Sequence, residues 1–363
     1  MQLTRLKYKN FRNIEAIDFT PSEGFNIFWG DNAQGKTNLL EAIYLLGHLK
    51  SFRGARNPEL IRSGSDQARL QGELTNLGVN RRLELAIEQA SKSVRIDGKQ
   101  VRSGRDFFGF LRPVLFSPEE VSLVKGPPAG RRALLDRSIF QAQPLYLEKV
   151  QEYERCLKQR NRLLKEGRLG EELIPWTEGL IDAGGRLRWE RFRYLVSLAP
   201  LLRQCYDTIA GNGEKADIHI ESHGEKEEDF REALRSELKK TANREVHLGQ
   251  TLAGPHRDDP LFLIEERPLR LYGSQGQQRS FILAYKTAQI IDLEKRLGEP
   301  PILLLDDMTS ELDRHRKGFL FHFLLSRRGQ VFLTTTDCTP FKNEGMKSAR
   351  FFRVTRGNII DEG

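Results

Sequence analysis

Between an apolar stretch and a helix-forming one, the chain places Gly30-Asp31-Asn32-Ala33-Gln34-Gly35-Lys36-Thr37. This fits the phosphate-loop pattern GxxxxGK followed by Ser or Thr. No other feature constrains the fold as much, because such a loop needs a buried strand before it and a helix after it. Phe25-Asn26-Ile27-Phe28-Trp29 supplies the strand, and Leu39, Leu40, Ile43 and Leu46 follow at helical spacing. The glycines let backbone N–H groups turn inward around a β-phosphate, and the helix points its positive end at the same anion. Lys36 is expected to reach the β- and γ-phosphates, and the Thr37 hydroxyl to hold Mg2+. Gly30, Asp31, Asn32, Ala33, Gln34, Gly35 and Asn38 complete the expected nucleotide contacts. Average residue usage gives such a match by accident in roughly one chain in a hundred of this length.

A phosphate site also needs an acid beside the loop. Residues 302–305 form an apolar run that ends in Asp306-Asp307. Asp306 is the expected metal residue, and Asp307 the expected catalytic base, paired with Lys36 in the chemistry of the site.

Around these motifs the chain reads as one core with an insertion. Ile14, Ile17 and Phe19 alternate ahead of a turn at residues 21–24, and residues 68–98 read as an antiparallel meander punctuated by Gly72, Gly78 and Gly98. After residue 120 charged amphipathic helices take over, over about 145–165, about 176–198 with Pro200 closing it, and again after Glu227. Strands and glycine loops return near residue 245. The expectation is therefore a head made of residues 1–120 and 245–363, with 121–244 as an inserted helical lobe. At 363 residues the chain has room for both.

Several classes are disfavoured. No apolar run is long enough to span a bilayer, and MQLTRLKYKN lacks a secretory apolar stretch, so a cytoplasmic address and no membrane partner are expected. Cys156, Cys205 and Cys338 lie far apart, which argues against a zinc or disulfide framework. A net charge of +8 permits a polyanionic partner.

Gly273-Ser274-Gln275-Gly276-Gln277-Gln278-Arg279 stands ahead of the acidic strand and opens a further helix, over 281–291. A Ser-x-Gly-Gln turn at a helix N-terminus offers a hydroxyl and bare amides to an anion. Here it resembles the signature motif of the ABC superfamily of ATPases, and Ser310-Glu311-Leu312-Asp313 resembles that superfamily's D-loop. The resemblance implies that Ser274, Gly276 and Gln277 contact ATP held by the phosphate loop of a second copy, and hence an ATP-bound homodimer. Where transporter-type members carry a histidine, this chain has Thr334-Thr335-Thr336-Asp337. The best positional candidate for the glutamine loop is Phe116-Ser117-Pro118-Glu119.

Leu6-Lys7-Tyr8-Lys9-Asn10-Phe11-Arg12-Asn13 resembles the start of the SMC and RecF group of DNA-handling ATPases. Within that group the chain resembles the RecF family. Gly130-Arg131-Arg132 leading to Leu135-Asp136, Gly254-Pro255-His256-Arg257-Asp258-Asp259 and the Ser274 and Asp306 blocks carry that likeness across the length. It implies an α/β ABC-type ATPase head, with a phosphate-loop core and an antiparallel β subdomain, plus a mainly helical lobe without a long coiled coil. It further implies a weak, DNA-stimulated ATPase that uses ATP and Mg2+ to close a clamp on duplex or gapped DNA. Such proteins act with RecR and RecO to help RecA replace single-strand-binding protein. The rival readings are an SMC-like tether, disfavoured by the missing coiled coil, and a transporter motor, disfavoured by the missing histidine.

DNA contacts without sequence readout should be phosphate contacts. Lys50, Arg53, Arg56, Arg62, Arg131 and Arg132 are the candidates, and Arg12 is one for the nucleotide's base or ribose; each also reads as an ordinary solvated or intramolecular charge. His256 beside Asp258 and Asp259 is better read as a turn of the head than as a metal cluster.

Overall fold

The computed structural model describes every residue except Leu77, Arg102, Ser103, residues 309–311 and 344–348, and Gly363; for residues 104, 105 and 343 it describes the backbone alone. The chain divides into two units, Met1–Glu120 with Leu293–Gly363, and Val121–Asp292.

In the first unit β1 (Gln2–Phe11), β2 (Ile14–Phe19), β4 (Gln67–Asn76), β5 (Val79–Glu88), β6 (Lys92–Ile96) and β7 (Lys99–Gln100) form an antiparallel sheet in the order β2-β1-β4-β5-β6-β7. Its strands alternate as a half-buried sheet must: Leu6, Tyr8, Leu70, Leu83 and Leu85 face inward, and Lys9, Arg69 and Glu84 face away. A register shift between Leu3 and Arg5 resets the parity, so Leu3 and Leu6 are both buried although three residues apart.

The second sheet runs β15-β14-β3-β13-β12-β8, from β3 (Phe25–Trp29), β8 (Pro113–Phe116), β12 (Ile302–Asp306), β13 (Val331–Thr335), β14 (Arg350–Thr355) and β15 (Asn358–Asp361). All neighbours are parallel except β14 and β15. Strands buried on both faces need continuous apolar runs, which β12 and β8 supply. Helix α1 (Lys36–His48) follows the glycine loop, touching β1, β4 and β5 of one sheet and β8, β12 and β13 of the other. Leu40, Ile43, Leu45 and Leu46 are all fully buried, as a helix packed against both sheets must be. Short helices α2 (Asn57–Leu60) and α3 (Gly104–Phe107) join these strands, and α4 (Pro118–Lys125) follows β8.

The second unit holds α5 (Pro128–Ala142), α6 (Tyr146–Lys165), α7 (Leu173–Ala210), α8 (Glu227–Leu248), α9 (Leu269–Tyr272) and most of α10 (Gln275–Leu297). Its strands β9 (Ala216–His219), β10 (Leu261–Ile264) and β11 (Arg267–Pro268) pair in the order β11-β10-β9. That ladder moves the expected second boundary. Residues 261–264 pair antiparallel with 216–219, so the strands and loops after residue 245 belong to the inserted unit, and the chain leaves it at Leu293.

Pro200 does not close its helix. α7 runs on to Ala210, with Pro200 inside it. The proline removes one N–H bond to the carbonyl of Val196, whose residue is exposed, while Leu202, Cys205, Tyr206 and Ile209 continue the buried stripe. Burial of those four side chains outweighs the lost bond. Leu180, Leu187 and Tyr194, seven residues apart along α7, are all buried.

Candidate nucleotide site

β3, β13, β12 and β8 deliver their carboxyl ends to one edge of the parallel sheet, the edge where open α/β sheets place ligands. The loop after β3 depends on two glycines. Gly30 has φ 143°, and a Cβ there would stand 2.5 Å from the Val354 carbonyl oxygen of β14, a backbone atom that cannot yield. Gly35 has φ 107° as the N-cap of α1, and a Cβ there would meet Asn13 Oδ1 at 2.7 Å. Asn13 braces the loop from behind. Its Nδ2 donates to the Gln34 carbonyl at 3.1 Å and its Oδ1 accepts from Asn38 Nδ2 at 2.8 Å. Gly357 N and Arg356 N also donate to Gln34, to its backbone and side-chain oxygens. Lys36 Nζ donates to the Gly30 and Asp31 carbonyls at 2.5 and 2.8 Å. Burial draws that ammonium below its ordinary pKa, against the charges of Asp307, Asp31 and Asp306.

The acidic edge lies beside it. Asp306 Oδ1 accepts from Thr37 Oγ1 at 2.9 Å and from Thr334 Oγ1 at 2.8 Å. Burial raises its carboxyl above the ordinary range, and the charge of Glu119, just beyond β8, pushes the same way. Asp307 has φ 47°, a left-handed conformation uncommon for a side-chain-bearing residue, and its N–H donates to Thr334 Oγ1 at 3.0 Å. Thr334, the first residue of the stretch where transporters carry a histidine, therefore ties the Asp306 carboxylate to the Asp307 backbone. Asp337 instead closes a local turn, accepting from Thr339 N at 2.9 Å.

These residues fit ATP with magnesium. The two glycines let the loop close against β14 and Asn13, where any Cβ would collide. Thr37 and Asp306 bring together a hydroxyl and a carboxylate, the hard oxygen donors that magnesium takes.

Ser274 caps α10: its Oγ accepts from Gln277 N at 3.1 Å, and Gln277 Oε1 accepts from Ser274 N at 2.9 Å. The residue is exposed, as are Leu271 and Tyr272 before it. Of the D-loop candidate, Ser310 and Glu311 lie outside the described residues; Leu312 is buried, and Asp313 caps the Arg314–Leu325 helix.

Three candidates change role. Arg131 is 2% exposed and pairs with Asp259 through two of its nitrogens, at 2.8 and 2.9 Å. It also donates to the Val124 and Gly126 carbonyls, so it cannot serve as a surface phosphate contact. Arg132 donates to the Asp258 carbonyl, which half-buries it in the same turn. Arg12 is no free cation: it pairs through two bonds of 2.9 Å with Glu41, a fully buried carboxylate of α1, and reaches the Glu59 carbonyl. Arg62 pairs with Glu15 at 3.1 Å on the surface, while Lys50, Arg53 and Arg56 are exposed.

The Gly254–Asp259 stretch has a structural role within the second unit. Arg188 binds Asp258 and Glu237, Arg191 binds Asp136 and the Pro255 carbonyl, and Arg160 binds Glu245. Tyr153 Oη and His256 Nδ1 are 2.6 Å apart.

Sequence reasoning missed Asn13, Glu41 and the outward pair Lys9 and Arg69, which stand directly opposite each other on β1 and β4. Only the last left a trace, as outward positions of alternating strands.

A family model described as the RecF/RecN/SMC N terminal domain matches residues 2–359. The DNA replication and repair protein RecF of Syntrophotalea carbinolica is 52% identical over 361 residues, 99% of each chain. The chain belongs to the RecF family. RecF of Geotalea uraniireducens is 43% identical over 364 residues, covering 99% of this chain and all of that one. A solved structure of the recombination mediator protein RecF-ATP in the RecFOR pathway superposes with a TM-score of 0.89 at 32% identity, covering 99% of each chain. The Smc head domain of Pyrococcus furiosus, with an extended coiled coil, gives 0.58 at 15% identity over 99% of this chain and 96% of that one, a likeness of fold alone. The RecF fold is thus an ABC-type ATPase head with a helical insertion.

Proposed function

We propose that the chain is an ATP-dependent DNA-binding clamp of recombinational repair, with slow ATP hydrolysis that resets it. The observation that carries this is the phosphate-loop edge, where Lys36, Thr37 and Asp306 meet on a RecF-family scaffold. Gly30 to Asn38 would cradle the phosphates, and Thr37 and Asp306 would hold magnesium. Bound magnesium neutralises phosphate charge. Asp307, whose backbone N–H Thr334 holds, would orient and deprotonate water. Ser274, on an exposed helix N-terminus, would meet ATP held by a second copy, making a homodimer part of the site. The RecFOR pathway named for the RecF-ATP structure and the DNA replication and repair named for the relatives support DNA, RecO and RecR as partners; on this reading the outcome would be RecA loading.

Light scattering tests the reading. The chain should be a dimer with ATP and a monomer without it, and Ser274→Arg should keep ATP binding while losing the dimer. A Ser274→Arg chain that still dimerises with ATP removes the second-copy site.

A further inference from the structure

The residues between α1 and β4 carry the exposed cations Lys50, Arg53 and Arg56, and one of them is wired to the phosphate loop. Arg53 Nη1 donates to Asn38 Oδ1 at 3.3 Å, Asn38 Nδ2 to Asn13 Oδ1 at 2.8 Å, and Asn13 Nδ2 to the Gln34 carbonyl at 3.1 Å. Every donor in the series points toward the loop, so each bond polarises the next. The backbone behind Arg53 is anchored separately. Its N–H donates to Ser51 Oγ at 3.0 Å, and Ser51 Oγ donates to the buried Glu41 at 2.5 Å. The guanidinium can therefore change partner while its loop stays on α1. All of these residues lie in the first unit.

We infer that Arg53, Asn38 and Asn13 form a relay by which DNA bound at the 50–56 loop resets the nucleotide loop within a single protomer. This rests on the clamp reading above. A DNA phosphate offers Arg53 a bidentate, oppositely charged partner in place of the neutral amide oxygen it now meets at 3.3 Å. Once Arg53 moves to the phosphate, Asn38 Oδ1 loses its donor and the amide turns. Asn13 then loses the donor that fixes its own oxygen, and its grip on Gln34 slackens. Gln34 lies between Gly30 and Lys36, whose ammonium holds the Gly30 and Asp31 carbonyls. The relay restrains the loop until an anion claims Arg53, and its release favours the phosphate-binding arrangement. Asn13 is a positioning residue here and touches no nucleotide.

The test uses the full-length Ser274→Arg chain, so that dimerisation cannot supply the coupling. ATP affinity is measured by calorimetry at low salt, with and without saturating duplex DNA. DNA is expected to tighten ATP binding by about fivefold or more, the ordinary size of a coupling between sites. Arg53→Ala should bring that factor to about one at saturating DNA. Lys50→Ala, on the same loop but outside the bond series, should weaken DNA binding and leave the factor intact. Arg53→Ala combined with Asn13→Ala should lower the factor no further than either change alone, although those two side chains do not touch. An unchanged factor in Arg53→Ala, a loss in Lys50→Ala at saturation, or additive effects of Arg53→Ala and Asn13→Ala overturns the relay. Failure of the clamp reads differently: the unsubstituted chain would then neither dimerise with ATP nor bind DNA more tightly with it.

Discussion

Gly35 combines a left-handed φ with the Asn13 amide standing where a Cβ would go, so any side chain meets both strain and collision. Left-handed strain alone is worth about 1–3 kcal/mol at a non-glycine residue. Gly35→Ala is expected to weaken ATP binding by at least about tenfold, measured by calorimetry, and to lower the melting temperature by a few degrees. Asp307 presents a different case, a side-chain-bearing residue held at φ 47° by Thr334. Asp307→Asn keeps that geometry and removes the base. The variant should bind ATP normally and accumulate as the ATP-bound dimer with turnover reduced at least about a hundredfold; unchanged turnover would take Asp307 out of the chemistry.

Within the inserted unit, ion pairs join α5 and α7 to the turn at residues 254–259, Arg188 ties in Glu237 of α8, and Tyr153 of α6 is hydrogen-bonded to His256. Arg131→Ala leaves Asp259 with only Arg270, at 3.9 Å, and strips the Val124 and Gly126 carbonyls of their buried donor, a loss of about 1–3 kcal/mol. Urea denaturation should show that loss, with DNA affinity of the folded fraction unchanged; weaker DNA binding at full stability would return Arg131 to the surface list. His256 gives the same unit a pH dependence. Burial lowers its pKa below the ordinary 6.5, with Arg257 and Arg132 adding to the depression and the Thr251 carbonyl and Asp258 opposing it. The native imidazole therefore resists a proton that the unfolded one accepts. Its contribution to stability is complete above about pH 6.5 and is lost as pH falls below that value. His256→Gln should flatten the difference between melting temperatures at pH 7.5 and pH 5.5.

For the whole molecule, a net charge of +8 matters through where the cations sit. Lys50, Arg53 and Arg56 are exposed, and Lys9 and Arg69 face one another outward, a like-charge pairing that disfavours the sheet unless an anion compensates it. Duplex binding measured across a salt series should show a log–log slope that becomes less negative by about 0.9 for each phosphate contact removed. Lys50→Ala and Lys9→Ala should each shift it by about that amount. Equal slopes in all three proteins would place DNA on another face.

Much of the site was legible in the residues themselves. Strand, glycine loop, Lys36-Thr37 and the Asp306 strand are local patterns, each set by backbone geometry within a few residues, and the alternation of β1, β2, β4 and β5 and the buried stripes of α6 to α8 are equally local. Long-range pairing decided the rest. Nothing near Arg131 or Arg12 in sequence says that Asp259 and Glu41 will take them, since the partners lie 128 and 29 residues away. Pro200 reads as a helix end until the burial beyond it is known. The 245 boundary failed because a ladder between 216–219 and 261–264 is invisible to periodicity. Composition and spacing determined that this chain builds a phosphate site. Only the tertiary structure decided which cations stay free for a polyanion, because a charge is spent or spared by whatever the fold brings beside it.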